Sequence, residues 1–309
     1  MSGRFAPSPT GDLHLGNLRT ALTAWLAARS TGRGFIVRME DLDRATSSSQ
    51  HEARQLVDLA ALGIDWDGPV VRQSERFDLY RAAIARLRDE GMVYPCYCTR
   101  REIRAEIDQA PEAPHVHLPD GAYPGTCRDL SDVERAARER AGRRPALRLR
   151  TNGEVIEIVD SIAGPFAGAV DDVVLARGDG VPAYNLAVVV DDADQGVTQV
   201  VRGDDLLSST PRQVHLQRLL GLPQPEYLHV PLVLGEDEQR LAKRHGAVTL
   251  ADLAAAGWSA GDVLGVLAVS LGLARPGESV TIDRLVDRFD PDCVPRTAVH
   301  LADLQRSMA

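Results

Sequence analysis

Arg4-Phe5-Ala6-Pro7-Ser8-Pro9-Thr10-Gly11, followed by His14-Leu15-Gly16-Asn17, is the stretch on which the reading of the fold turns. Arg4-Phe5-Ala6 reads as a short strand that Pro7 and Pro9 end, since proline cannot donate to a sheet ladder. From Asn17 to about Arg29, Leu18, Leu22, Trp25 and Leu26 recur at helical spacing. A strand that turns through glycines into a helix offers free backbone N–H groups and the positive end of the helix dipole to a phosphate. Gly11 and Gly16 let backbone approach a ligand closely. His14 adds a donor whose bond strengthens as charge builds on a phosphoryl oxygen. A tight structural turn is the alternative for this run taken alone.

Outward from there, Gly32 and Gly34 stop the helix and Phe35 to Met39 reads as a second strand. Leu56, Leu59, Ala60 and Leu62 mark another helix, and Tyr80, Ile84 and Leu87 a third, closed by Gly91. Short apolar runs alternating with helical patterns are the βαβ signature of a parallel sheet. The βα pattern resumes with Tyr184 to Val190 and with Val197, Gln199 and Val201. Thr210-Pro211 predicts a helix start with a capping hydroxyl, and Leu228 to Leu234 alternates as a strand. Between the two βα regions, Tyr94 to about Arg128 carries three of the four cysteines, with Pro111, Pro114, Pro119 and Pro124 among them, and reads as an inserted module. A hairpin is expected after it: Leu147 and Leu149, a turn at Asn152-Gly153, and a return over Val155 to Val159. After Gly246 the chain reads as helical and rich in Ala and Leu.

The 309 residues, 44% of them hydrophobic and 26% charged, suffice for one large α/β domain with a smaller inserted or appended unit. No apolar signal region opens the sequence and no stretch approaches 18 uncharged apolar residues, so the expectation is a soluble, cytoplasmic protein without a transmembrane helix. The net charge of −9 argues against a general nucleic-acid coat protein but leaves room for local basic surfaces. Arg100, Arg101 and Arg104 form one such group, and Arg143, Arg144, Arg148 and Arg150 another, with solvated helix and strand faces as the plainer reading.

Two further constellations carry chemistry. Arg38-Met39-Glu40-Asp41-Leu42-Asp43-Arg44 closes the second strand, at the carboxyl end where parallel sheets bind ligands. Glu40 there could hold a substrate ammonium, against the alternative of alternating surface charges. Arg240-Leu241-Ala242-Lys243-Arg244-His245-Gly246 follows a strand and the Gly235-Glu236-Asp237-Glu238 loop. Of the 35 basic residues all but Lys243 are arginine. A compact ammonium on a loop can follow moving phosphates better than a planar guanidinium, so a random survivor is a poor explanation of its place.

These motifs together resemble the class I aminoacyl-tRNA synthetases. His14–Asn17 resembles their first signature, with Asn17 where a fourth histidine is usual. Arg240–Arg244 resembles a degenerate second signature, with Arg240 and Ala242 where Lys and Ser are common. Arg4–Gly11, Arg38–Arg44, Tyr184-Asn185-Leu186-Ala187-Val188-Val189-Val190-Asp191-Asp192 and Val201-Arg202-Gly203-Asp204-Asp205 resemble the glutamyl members over roughly residues 3 to 250. The resemblance implies an α/β fold, a Rossmann-type parallel sheet with a zinc-bearing insertion and a small C-terminal helical region. The expected division is 1–93 and 184–245 for the two halves of the catalytic domain, 94–183 for the acceptor-binding-like insert, and 246–309 for the helical end. It implies that Arg4, Ser8, Glu40, Tyr184 and Arg202 bind L-glutamate, with Arg202 on its side-chain carboxylate. It implies that His14, Gly16, Asn17 and Lys243 bind ATP with Mg²⁺.

Cys96, Cys98 and Cys127 at short spacing suit zinc better than a disulfide. His115 or His117 would complete the set by ligand chemistry alone. The C-x-C and Tyr123-x₃-Cys127 pattern instead resembles the zinc site of glutamyl-queuosine tRNA(Asp) synthetases, which implies Tyr123. Three buried free cysteines are the alternative, and Cys293 stands alone as an expected core residue. No large helical anticodon-binding portion is expected after residue 250, which again resembles the glutamyl-queuosine family. That resemblance implies tRNA-independent activation of glutamate and transfer to queuosine in tRNA(Asp). A minimal glutamyl-tRNA synthetase charging a 3′ end and a non-catalytic RNA-binding paralogue are the rivals.

Overall fold

The computed structural model describes residues 1–109, 121–241 and 249–306. At its centre is β1 (Ser2–Phe5), every residue of it buried. The chain goes on through α1 (Leu15–Ser30), β2 (Gly34–Met39), α2 (Ser49–Ala61), β3 (Val71–Arg72) and α3 (Phe77–Asp89). It then enters an insert made of β4 (Val93–Cys96), α4 (Arg100–Gln109), α5 (Asp132–Arg140), β5 (Ala146–Leu149), β6 (Val155–Asp160), β7 (Gly164–Ala169) and β8 (Val174–Ala176). It returns through α6 (Tyr184–Asp194), β9 (Val197–Gly203), α7 (Thr210–Leu220), β10 (Glu226–Val230) and β11 (Val233–Leu234). The helices α8 (Leu250–Ala255), α9 (Ala260–Ser270), α10 (Ile282–Arg288) and α11 (Leu301–Arg306) follow, with β12 (Val299–His300) before the last.

The main sheet has the order β10-β9-β1-β2-β3 and all its pairings are parallel. The chain moves from β1 outward through β2 to β3, then re-enters on the other side of β1 as β9 and continues to β10. Strand order thus reverses between β1 and β9, and open α/β sheets bind ligands in the crevice beyond the carboxyl ends at such a point. Leu18, Leu22 and Leu26 of α1 are fully buried in one core with Phe35 and Val37 of β2 and with Val263, Leu267 and Leu285 of the C-terminal helices. Arg19, 1% exposed, reaches from α1 to the Pro231 carbonyl at 2.7 Å and to Ser270 Oγ and carbonyl at 3.1 and 3.2 Å. Burial pulls its guanidinium down to about 10. Among the described residues no helix is long and apolar enough to cross a membrane.

Several local expectations need correction. The expected hairpin across Asn152-Gly153 does not form: β5 pairs with β4 and β8, and β6 turns back into β7. The turn is made by Asp160, whose Oδ1 accepts the N–H groups of Ile162 and Ala163 at 3.0 and 2.8 Å, and by Gly164 at φ +85°. The Leu228–Leu234 strand is split at Pro231, which has no N–H to give, and Val233–Leu234 pairs with Val299–His300. Tyr184–Val190 is helical, so the resumed pattern runs helix first. The Thr210 hydroxyl does not cap α7; it accepts a hydrogen bond from Arg202 Nη2 at 2.9 Å. Cys293 is exposed, and it is the next residue, Val294, that enters the core.

Candidate active site

A cleft of about 800 Å³ opens beyond the carboxyl ends of β1, β2 and β9 and the first turn of α1. Arg4, Ser8, His14, Gly16, Asn17, Glu40, Tyr184, Arg202, Arg240 and Leu241 all line it. Residues widely spaced in the chain are brought together there because strand ends, a helix start and a loop converge on one crevice. Ala242, Lys243 and Arg244 lie outside the described residues, as do His115 and His117.

At one end the buried Arg4 and Arg202 line the cleft with Glu40, and the buried Arg38 and Asp192 lie behind them. Arg4 on β1 donates to the Val201 carbonyl at 2.9 Å and to Asp192 Oδ1 at 3.4 Å. The same Asp192 oxygen accepts from the fully buried Arg38 at 2.7 Å, and Arg38 Nη2 stands 3.4 Å from Glu40. Burial pushes the Glu40 carboxyl up, against the downward pull of Arg38 and Arg4. Asp192 is held low: Arg38 and Arg4 overcome the opposing effect of burial. Arg202 on β9 gives Nε–H to His229 at 3.0 Å, Nη1 to Gln213 at 2.7 Å and Nη2 to Thr210. Charge-assisted contacts of this kind, in a slot with both signs present, match an amino acid that carries carboxylates and an ammonium.

The other end is the start of α1. His14 precedes the helix, and its Nδ1 accepts the Asn17 N–H at 3.2 Å while Asn17 Oδ1 accepts the His14 N–H at 3.3 Å. This reciprocal cap places the proton of a neutral His14 ring on Nε2 and leaves the Asn17 amide NH₂ as a donor. Asn17 therefore performs the helix-capping task while keeping a hydrogen-bond donor. A Cβ on Gly16 would come within 3.1 Å of the His14 ring, so the glycine gives the imidazole its place. Arg240, at the base of the loop that follows β11, pairs with Asp205 at 2.6 Å.

A second site lies in the insert. The sulfurs of Cys96, Cys98 and Cys127 lie within 4.8 Å of one another. Tyr123 Oη sits 3.3 Å from Cys96 Sγ and 3.6 Å from Cys98 Sγ, and accepts the Cys127 N–H at 2.8 Å. Tetrahedral zinc with bonds of about 2.0–2.3 Å separates its ligand atoms by similar distances, so three thiols and a phenol oxygen fit such an ion. The Cys98 thiol beside it, aided by Tyr123, pulls Cys96 down to about 5, against the effect of burial. Arg148 lies over the Tyr123 ring with its guanidinium carbon 3.7 Å from the centroid.

The family model for the catalytic domain of class I tRNA synthetases (E and Q) matches residues 1–276. The chain belongs to this family. A glutamyl-Q tRNA(Asp) synthetase of Nocardia farcinica is 62% identical over 98% of this chain and 93% of its own length. Another, of Symbiobacterium thermophilum, is 52% identical over 97% of this chain and 96% of its own length. The crystal structure of a glutamate tRNA ligase from Elizabethkingia meningosepticum, in complex with its amino acid, superposes with a TM-score of 0.81 at 27% identity, covering 99% of this chain and 68% of that one.

In this class I synthetase the residues behind the cleft are those that sequence reading missed. Asp191, wholly buried, accepts from Gln73, Arg76 and Tyr80 at 2.7–2.8 Å. Two adjacent acids inside the apolar helix α6 were a usable signal, because buried carboxylates demand partners. Gln213 and His229 gave none. Of the arginine groups, Arg143 pairs with Glu102 and Arg150 with Asp129 on partly exposed faces, which fits the plainer reading, whereas Arg148 is buried and donates to the Asp172 carbonyl, so it belongs to no solvated face. Arg100, Arg101 and Arg104 are exposed on α4.

Proposed function

We propose that this enzyme activates L-glutamate with ATP, without tRNA, and then transfers the glutamate to queuosine in the anticodon of tRNA(Asp). The observation that carries the reading is the convergence of Arg4, Arg202 and Glu40 beside the His14–Asn17 helix start in one cleft. Arg202 and Arg4 receive the side-chain carboxylate, Glu40 the α-ammonium, and Tyr184 and Ser8 complete the slot. His14, Gly16, Asn17 and Lys243 hold the triphosphate with Mg²⁺. The substrate α-carboxylate oxygen attacks the α-phosphorus, the bond to the bridging oxygen breaks, and pyrophosphate leaves with the electron pair. No general base is needed, because the nucleophile is already an anion. Catalysis is positioning and stabilisation of charge on the phosphates.

Cys96, Cys98, Tyr123 and Cys127 hold one zinc ion, which ties the start of the insert to Tyr123 and Cys127 as a structural clip. Support for queuosine as acceptor comes from the relatives named glutamyl-Q tRNA(Asp) synthetase, which match along nearly their whole length. The glutamate tRNA ligase structure matches over 68% of its chain, and it favours a minimal 3′-charging enzyme as the second reading. The expected site of action is the cytoplasm.

Glutamate-dependent exchange of pyrophosphate into ATP without tRNA tests the first step. Labelled glutamate supplied with tRNA(Asp), with and without queuosine, tests the second. Charging of unmodified tRNA(Glu) in place of queuosine-bearing tRNA(Asp) would hand the case to the second reading. Folded, metal-loaded protein with no exchange would leave a non-catalytic paralogue.

A further inference from the structure

Arg202 does not meet the cleft as a loose cation. Three acceptors hold it from behind: His229 Nε2 on Nε at 3.0 Å, Gln213 Oε1 on Nη1 at 2.7 Å and Thr210 Oγ1 on Nη2 at 2.9 Å. A guanidinium has five N–H groups, so one remains on each terminal nitrogen. Gln213 is itself oriented, since its amide donates to Asn185 Oδ1 at 2.9 Å. His229 is fully buried, and its Nδ1 lies 2.6 Å from Oδ2 of Asp160, which is 2% exposed. Asp160 belongs to the turn between β6 and β7, part of the insert and not of the main sheet.

We propose that Asp160 and His229 are positioning residues that fix the Arg202 fork and thereby set the preference for a glutamate over a glutamine side chain. The inference rests on the function proposed above, in which Arg202 meets the side-chain carboxylate. The chemistry lies in the imidazole tautomer. Burial, together with the charges of Arg202 and Arg4, keeps His229 neutral against the pull of Asp160. A neutral ring that gives Nδ1–H to Asp160 presents a lone pair at Nε2, the partner that the Arg202 Nε–H requires. A protonated ring, or the other tautomer, would set its Nε2–H against the Arg202 Nε–H, the other group near Nε2 being the Thr210 hydroxyl oxygen at 3.3 Å, which already accepts from Arg202 Nη2.

Asp160 cannot turn to relieve such a clash. Its Oδ1 accepts three backbone N–H groups, from Ile162 at 3.0 Å, Ala163 at 2.8 Å and His229 at 3.0 Å. In Asp160→Asn the amide oxygen stays with those three donors, so the NH₂ group faces His229 Nδ1. The ring then has to accept there and carry its proton on Nε2, opposite the Arg202 Nε–H. The change is nearly isosteric, yet it reverses the hydrogen-bond direction along the chain of residues. A triad aspartate replaced by asparagine acts in the same way, through the wrong tautomer.

The test is pyrophosphate exchange with glutamate and with glutamine, alongside ¹⁵N NMR of the histidine ring. In the wild-type protein His229 should show an unprotonated Nε2, and a protonated Nε2 would overturn the proposal whatever the variants do. Asp160→Asn should raise the KM for glutamate about tenfold or more, the usual effect of orphaning one buried donor. The KM for ATP should stay within about twofold, and discrimination against glutamine should fall by a similar factor. In a His229→Gln background, where an amide oxygen can accept from Arg202 with no tautomer to reverse, adding Asp160→Asn should have little further effect on the glutamate KM. Wild-type exchange with an unchanged KM in Asp160→Asn would refute the positioning role alone, and so would a parallel rise in both KM values. Absence of exchange in the wild-type protein would refute the function and this inference with it.

Discussion

Replacing Asp191 by alanine should destabilise the enzyme by about 3–5 kcal/mol, the cost of removing one partner from a buried ion pair. The size follows from what the carboxylate holds. Its Oδ2 accepts from Gln73 and Tyr80, both at 2.8 Å, and its Oδ1 from Arg76 at 2.7 Å, while Arg38 Nε lies 3.6 Å away. Each buried donor left alone costs about 1–3 kcal/mol. Water entering the space left by the side chain keeps the total below the sum. With a urea slope of about 3 kcal/mol per M for a chain of this size, the unfolding midpoint should fall by about 1–2 M. Circular dichroism and tryptophan fluorescence along a urea series measure it. Asparagine should not rescue, because its NH₂ has to face either Arg76 or the Gln73–Tyr80 pair. A midpoint shift below about 0.3 M for both variants would show that the buried network contributes little to stability and would refute the expected loss.

Three other outcomes are expected. Cys127→Ser should lower zinc, read by elemental analysis, from about one ion per chain to a small fraction and reduce thermal stability; an undiminished zinc content would rule out the proposed site. Lys243→Ala, at a residue outside those described, should slow the activation step by about a hundredfold or more with unchanged circular dichroism, and unchanged turnover would refute its role. Burial, together with nearby Asp12, raises Asp58 to about 6. Its folded value therefore exceeds the unfolded one, and the folded state binds the extra proton between about pH 4 and 6. Stability from this group rises as pH falls through that window. Asp58→Asn should accordingly raise the melting temperature at pH 7 and give no advantage near pH 4, and an equal gain at both values would contradict the assignment.

The β1–α1 unit was legible because three local signals agree there: a short strand ended by Pro7 and Pro9, turn-forming glycines and a 3.6-residue period in Leu18, Leu22 and Leu26. The cleft residues were legible through motif resemblance, and the crevice between β1 and β9 gathers those among the described residues. The hairpin was misread although its turn signal is real, since Gly153 does take φ +71°. Strand pairing is decided by distant partners, and β5 finds both of its neighbours elsewhere. The turn that does close a hairpin is made by the Asp160 carboxylate, a weaker sequence signal than Asn-Gly. Asp191 has its partners 111 to 118 residues away in the chain, so no local pattern could name them. The same holds for Thr210, which reads as a helix cap and acts as a support for Arg202.

Arg19 has a consequence for anyone who would pare this protein down. It stands one turn above the cleft-lining start of α1 and finds two of its three acceptors on Ser270, at the end of α9. Cutting the chain at residue 245 would leave that cation with the Pro231 carbonyl alone and uncover the side of α1 that α9 and α10 pack against. The C-terminal helices are thus the footing on which the α1 side of the crevice stands, and a working miniature or a chimera has to carry α9 along.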